Sequence, residues 1–440
     1  MKRTIISLSL ALVVTFHLQA QEETWDLQRC ITHAITNNLS IKQKEAVRDQ
    51  SKIELNTSQW SRLPNLNGNI GQSFNFGRAL QSDNTYGNRN TQNTNFSLGT
   101  NIPLFTGMQI PNNIALSKLN LKAATEELNK AKEDISIQVT SYFIQVLFTE
   151  ELVKVAHNQV QLSQEQLNKK VVFFKNGKAS EAEVLEAKSR LAQDELSMIQ
   201  AENNHKLALL DLSQLLELPS PEGFQISTPN IDNVSVHLTL PDEVYAHAIM
   251  QKPAIKAAQY RMQGAEKSIK IAQSAYYPQL SFGAGIGTNY YHLSGIQNAA
   301  FGTQWEQNMN KYLQFSLSIP LFNRFQTRNR VKSARIQHKA LSWQLEESKK
   351  TLYKEIQQAY YNALACKSKY ESCLSAIESA EASFRLMSEK YANGKASATE
   401  YNEMRTTWMR TLSDGIQAKY DFIYRSKILD FYKGIPLVLR

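Results

Sequence analysis

Two five-residue words carry the most suggestive chemistry in this sequence, Asn176-Gly-Lys-Ala-Ser180 and Asn393-Gly-Lys-Ala-Ser397. Gly-Lys near a hydroxyl residue ends a phosphate-binding loop, in which backbone N–H groups cradle the phosphates and the Lys reaches over them. The match fails at both ends. Val172 and Glu389 stand where the first Gly of that loop is required, and Ala179 and Ala396 replace its Ser or Thr. Gly283, Gly285 and Gly287 alternate along a strand pattern and open no helix, so they do not form a dinucleotide turn either. The eight histidines contain no His-Glu-x-x-His pair, and His33 and His247 read as packed residues. No catalytic residue, metal site or cofactor is expected, and the chain does not read as an enzyme.

The same two words make better sense as turns between helices. Gly177 and Gly394 can take the left-handed conformation that ends a helix. Ser180 and Ser397 then suit the N-cap of the returning helix, with Glu183 and Glu400 three residues on to complete a capping box. The elements on either side are long. From about Ile114 to Glu217 and from about Thr327 to Tyr432 Pro is absent, and Gly is limited to one near the middle of each stretch and Gly415. Apolar residues recur at helical spacing, as in Leu121, Leu128, Ile135, Tyr142 and Val146, or Val184, Ala187, Leu191 and Met198, or Leu345, Leu352, Ile356, Ala359 and Ala363. Arms of about fifty residues would reach about 75 Å, far beyond one compact domain.

The turns belong to a tandem repeat. His33-Ala-Ile-Thr-Asn-Asn-Leu-Ser-Ile-Lys42 returns as His247-Ala-Ile-Met-Gln-Lys-Pro-Ala-Ile-Lys256, Pro64 as Pro278, and Ile102-Pro-Leu-Phe105 as Ile319-Pro-Leu-Phe322. The expected organisation is a first repeat over 21–217, a joining segment over 218–240 and a second repeat over 241–440. Each half carries a helix, a strand pair (about 64–105 and 278–322) and a long helical hairpin.

The strands alternate. Leu66, Gly68, Ile70, Gln72, Phe74 and Phe76 share one parity, with Asn67, Asn69, Gly71, Ser73 and Asn75 on the other. Phe96, Leu98, Thr100, Ile102 and Leu104 likewise oppose Asn95, Ser97, Gly99 and Asn101. Leu280, Phe282, Ala284 and Ile286 oppose Gln279, Ser281, Gly283 and Gly285, while Phe315, Leu317, Ile319 and Leu321 oppose Gln314, Ser316 and Ser318. A polar face with almost no charge suits a water-filled lumen and the apolar face suits lipid, with Gly77–Gln92 and Tyr291–Asn310 as extracellular loops. Four strands cannot close a membrane barrel, and an open edge in hydrocarbon leaves backbone groups unpaired. Either the sheet is soluble, or two or three subunits share it.

Lys2 and Arg3, the apolar run Ile5–Leu18 and Ala20 describe a secretory signal peptide over residues 1–20. The net charge of +9 becomes +7 once Lys2 and Arg3 are removed, and both signs are interleaved, so nucleic acid is not an expected partner. Three cysteines do not make a disulfide scaffold.

Duplicated halves, two strand pairs and two long hairpins, spread over essentially the whole mature chain, resemble the outer-membrane efflux protein family, the TolC family. The most specific local likeness is at the turns. Gly177 is followed by Glu183, Val184, Ala187 and Lys188, and Gly394 by Glu400, Tyr401 and Glu403, the second without the family's Ala and basic residue. The resemblance implies an α+β membrane protein, a homotrimer whose helical hairpins form a barrel and whose four strands per protomer close a twelve-stranded transmembrane β-barrel. It implies pore-facing acidic rings at the periplasmic mouth from Glu400 and Glu403. It makes Glu183, Tyr391 and Lys395 candidates for links that hold the mouth closed, although Ala396 stands where the family has Arg. A periplasmic adaptor would dock on the tips, at Gly177, Lys178, Ala179 and Ser180 and at Gly394, Lys395, Ala396 and Ser397, and connect to an inner-membrane pump. The competing reading is a soluble periplasmic helical scaffold with a small sheet. Cell membranes are expected to retain the protein through a high-salt wash and to release it only in detergent; release by salt alone would contradict the membrane reading.

Overall fold

The computed structural model describes residues 24–80, 84–229 and 238–439. The expected signal peptide lies outside them, as does the middle of the joining segment. The element order repeats: α1 (Leu27–Asn37), α2 (Leu39–Trp60), β1 (Asn65–Asn75), a small hairpin of β2 (Arg78–Leu80) and β3 (Tyr86–Asn88), β4 (Thr91–Phe105), α3 (Gln109–Lys175) and α4 (Glu181–Leu215). The second half gives α5 (Pro241–Gln251), α6 (Pro253–Ser274), β5 (Gln279–Leu293), α7 (Phe301–Gln307), β6 (Asn310–Ser318), α8 (Gln326–Ala392) and α9 (Ala398–Tyr432). Corresponding helices have equal lengths: 11 residues in α1 and α5, 22 in α2 and α6, 67 in α3 and α8, and 35 in α4 and α9. The hairpin arms are therefore unequal, where the sequence suggested about fifty residues each.

The chain forms two compact units that cut across the repeats. One contains Ser40–Lys132 and Asp242–Glu355, and with them all the strands. Its main sheet has the order β1-β4-β5-β6, antiparallel throughout, with Ile70 opposite Phe96, Phe96 opposite Thr288, and Phe282 opposite Phe315. Register thus collects the apolar parities of all four strands on one face, as alternation requires. Helices brace the base of this unit: the Ser58 and Ser117 hydroxyls join α2 to α3 at 2.8 Å, and Arg261 of α6 pairs with Glu127 of α3.

Among the described residues, β1 and β6 are left exposed on both faces. Every residue of these two strands is exposed, including Leu66, Ile70, Phe74, Leu313, Phe315 and Leu317. Among the described residues their outer edges are also unpaired, because β1 bonds only to β4 and β6 only to β5. A soluble sheet buries its apolar face against a second layer, and an exposed apolar face of this extent marks a partner or a membrane.

The other unit contains the described part of Met1–Leu39, together with Glu133–Pro241 and Ile356–Arg440. Val139, Phe143, Val146 and Leu147 of α3, Leu212 of α4, Ile356 and Ala363 of α8, and Ile423 and Leu429 of α9 are its buried core. Most of the apolar recurrence seen in the sequence is buried, with Leu128, Ile135 and Val146 of α3 and Leu352, Ile356 and Ala363 of α8, but Tyr142 is exposed and its neighbour Phe143 takes the inward place. Gly415 lets α8 and α9 approach closely: a Cβ there would come within 2.3 Å of Ile377 Cδ1. The joining segment returns to α1 through a bridge between Trp25 and Ile226, with Phe224 edge-on to Trp25. No helix among the described residues is long and apolar enough to cross a membrane.

Candidate functional site

Both turns form as their residue types dictate. Gly177 and Gly394 have φ of +72° and +69°, the left-handed region that a side chain disfavours. Ser180 and Ser397 cap α4 and α9, each in a complete capping box with Glu183 or Glu400. Glu400 receives hydrogen bonds from the Ser397 N–H and hydroxyl, both at 2.8 Å, and these hold its carboxyl below the usual range. Glu183 has a second partner. Lys170 of α3 pairs with it, and this bond, aided by the Ser180 N–H, holds the Glu183 carboxyl below its ordinary range. That contribution is present above the normal carboxylate pKa and is lost as pH falls through the depressed value.

Lys170 also brings Tyr391 into the cluster. Its ammonium lies 5.1 Å from the centre of the Tyr391 ring, and that ring stacks on Tyr401 at 4.7 Å. Burial lowers the Lys170 pKa, but its bonds to Glu183 and Tyr391 outweigh this and leave it raised. The fold therefore joins two of the three sequence-derived link residues, Glu183 and Tyr391, through a lysine that the sequence reading did not single out. Lys395 is exposed at the turn and makes no ion pair among the described residues. Gln166 donates to the Tyr401 hydroxyl at 3.4 Å, and Asn402 to Glu186 at 3.4 Å, so α9 is stitched to both arms of the first hairpin.

Deeper in the same contact is a buried ion pair. Arg405 of α9 is 1% exposed and donates through Nη2 to Asp194 Oδ2 at 2.9 Å, to Ser163 Oγ at 2.8 Å and to the Gln159 carbonyl at 3.0 Å. Asp194, 2% exposed, also accepts from Gln159 Nε2 at 2.6 Å and from the Ser163 hydroxyl. Buried charges persist only when paired and hydrogen-bonded in this way. Arg405 Nε remains without a hydrogen-bond partner. A small cleft of about 50 Å³ separates this pair from the Lys170 cluster, with Arg190 and Ala398 in its wall.

The clamp orients α9. Tyr401 and Arg405, four residues apart, turn inward and are buried, whereas Glu400 and Glu403 are exposed. At 3.6 residues per turn, residues three apart lie about 60° from each other around a helix, so both acids share one stripe, opposite the clamped face. No group of His, Cys, Asp or Glu able to hold a metal ion occurs among the described residues.

The model of the outer membrane efflux protein family matches residues 30–217 and 244–431, one stretch in each half. The chain belongs to the outer membrane efflux protein family. Among its relatives, an uncharacterized protein of Haemophilus influenzae is 20% identical over 284 residues, or 62% of this chain and 60% of that protein. The chain thus spans somewhat less than two thirds of that relative's length. The cation efflux system protein CusC of Escherichia coli K12 is 24% identical over 363 residues, covering 78% of this chain and 71% of CusC. A crystal structure of CusC has the same fold, with a TM-score of 0.78 over 96% of both chains at 16% identity. This member of the outer membrane efflux protein family is an outer-membrane channel protein with periplasmic helical arms, and its sheet exposes the apolar residues of β1 and β6. A soluble scaffold does not account for that exposure.

Asp194→Ala leaves Arg405 buried and unpaired, and breaking such a pair costs roughly 3–5 kcal/mol. Asp194→Leu combined with Arg405→Met removes both charges. Thermal unfolding of the detergent-solubilised protein is expected to show a clear drop in midpoint for the single variant and a midpoint near that of the unmodified protein for the double variant. Equal midpoints for Asp194→Ala and the unmodified protein would contradict a structural role for the pair.

Proposed function

We propose that three copies of this chain form a passive exit duct of a tripartite export system, in which a shared twelve-stranded barrel crosses the outer membrane and the hairpins carry the lumen through the periplasm. The observation that carries this reading is the four-stranded sheet whose outer strands β1 and β6 are exposed along their length, apolar residues included, with no described strand on either outer edge, which one chain cannot place in a bilayer. Three copies supply twelve strands, enough to close a water-filled barrel. The matched lengths of corresponding helices support 21–217 and 241–440 as repeats of one ancestral unit, with 218–240 joining them, so that a threefold assembly presents six similar hairpins around its axis.

The tips dock a periplasmic adaptor, and the energy for transport comes from an inner-membrane pump behind it. Gly177, Lys178, Ala179 and Ser180 on one turn, and Gly394, Lys395, Ala396 and Ser397 on the other, form the contact. Support comes from Val172, Phe173 and Phe174 just before the first turn, three consecutive apolar residues that are exposed. Glu400 and Glu403 form acidic rings at the periplasmic mouth. Their shared exposed stripe, opposite the Arg405 clamp, suits a face turned to the pore axis, where like charges attract cations. Glu183, Lys170 and Tyr391 hold the second hairpin against the first beside these rings, with Lys395 free to reach a neighbouring copy.

Glu400→Gln with Glu403→Gln removes the charges while Gln retains the capping bonds to Ser397. Planar-bilayer recordings are expected to show weaker cation selectivity and weaker block by multivalent cations in this double variant. Unchanged selectivity and block would remove both residues from the pore lining.

A further inference from the structure

The outward end of β5 has no strand beside it. β6 pairs with β5 only from Gln279 to Gly287, whereas β4 continues along it to Leu293. Side-chain amides stand where the missing strand would run. Asn308 Nδ2 donates to the Asn289 carbonyl at 2.7 Å. The Gln304 amide accepts from the Tyr291 N–H at 2.9 Å and donates to the Tyr291 carbonyl at 3.0 Å. The Asn298 amide does the same at Leu293, accepting at 2.8 Å and donating at 2.9 Å. The Asn289 carbonyl and both backbone groups of Tyr291 and Leu293 are thus bonded at every second position, which is the spacing of an antiparallel ladder. An edge in water has solvent to bond with. An edge at bilayer depth does not, and must be satisfied within the protein.

Helix α7, which contributes Gln304, leans on the apolar face of the sheet. Trp305 lies 5.0 Å from Phe96 between ring centres, and Phe301 lies 5.5 Å from Tyr290; the Thr288 hydroxyl donates to the Trp305 carbonyl at 3.0 Å. Between this helix and the strands is an apolar cleft of about 370 Å³. Trp305 and Met309 form one wall, and Ile70, Phe96, Leu98 and Ile286 the other. All four strand residues have the parity of the exposed Leu313, Phe315 and Leu317, so the cleft is continuous with the surface that meets lipid.

We infer that α7 lies at bilayer depth on the outside of the barrel and that this cleft holds the acyl chain of an outer-membrane lipid. The inference rests on the outer-membrane reading of the sheet. It adds a lipid site within a segment whose composition reads as an extracellular loop. Apolar walls with no charged side chain among them select a hydrocarbon chain and place no demand on the headgroup. Phe301 and Trp305 supply the aromatic contacts typical of the membrane–water boundary.

The test uses the full-length protein reconstituted in phosphatidylcholine vesicles, with or without lipid brominated along its acyl chains. The emission lost in Trp305→Leu reports Trp305 alone. That emission is expected to fall by about half or more in brominated vesicles, as for an indole in contact with chains. Unquenched Trp305 emission in protein that floats with the vesicles overturns the inference, whether water or a second copy covers the cleft, and leaves the channel reading intact. Protein that fails to float contradicts the membrane reading itself. In a second arm, Gly68→Leu fills the cleft; a Cβ there meets only Leu98 Cδ1, at an ordinary 3.7 Å. Native mass spectrometry in detergent is expected to find about one retained lipid per copy in the unmodified protein and none in Gly68→Leu. Equal retention in both overturns the cleft as the site.

Discussion

Backbone hydrogen bonding in a medium without water is the constraint on which the rest of this structure depends. Four strands in one chain leave two long edges, at β1 and β6, and the apolar residues of those two strands are exposed. In water such a sheet would aggregate through its edges or collapse onto another layer. In a bilayer the apolar face is solvated by lipid, and each edge must find another strand. Closure by further copies is therefore a requirement of the fold rather than an elaboration of it. The same demand accounts for β5 beyond Gly287, where Asn298, Gln304 and Asn308 stand in for a strand that has already turned away.

At the periplasmic tips a different constraint governs orientation. Arg405 and Asp194 are both buried, so each needs the other, and α9 can rotate little without separating them. This fixes the opposite stripe of α9, with Glu400 and Glu403, on the exposed side. A buried charge pair contributes little net stability compared with a well-packed apolar contact. Its value here is geometric, because it sets which way the acids point. The Lys170, Glu183 and Tyr391 cluster stitches the same two hairpins nearer the turns, through partly exposed groups that solvent screens.

Much of this was legible in the sequence because the relevant periods are short. Strand parity gave the two faces, Gly-x-x-Ser-x-x-Glu gave the turns with their capping boxes, and family resemblance gave the assembly that four strands alone left undecided. The unequal arms follow from the turn glycine, which lies 63 residues after Ile114 and 40 before Glu217, whereas the start of α3 was less visible. Pro111 falls in the first turn of α3, where a missing N–H costs nothing, so the helix begins earlier than the Pro suggests. Helix α7 has seven residues, too few for a period to emerge, and its Asn- and Gln-rich surroundings read as a loop. Asp194 and Arg405 belong to no motif and were not singled out from the sequence. A hint was present: the stripe Val184, Ala187, Leu191, Met198 leaves Asp194 in its vacant slot, and Arg405 falls midway between the buried Tyr401 and Met409. Only the fold, which brings together residues 211 apart, pairs them.

The number of copies in the detergent-solubilised particle tests the central claim most directly. Light scattering corrected for bound detergent is expected to give a single species of three chains, the number that closes the β1 and β6 edges into twelve strands. A monomer or dimer that keeps its strand content would contradict the account, because its sheet would be satisfied without the shared barrel.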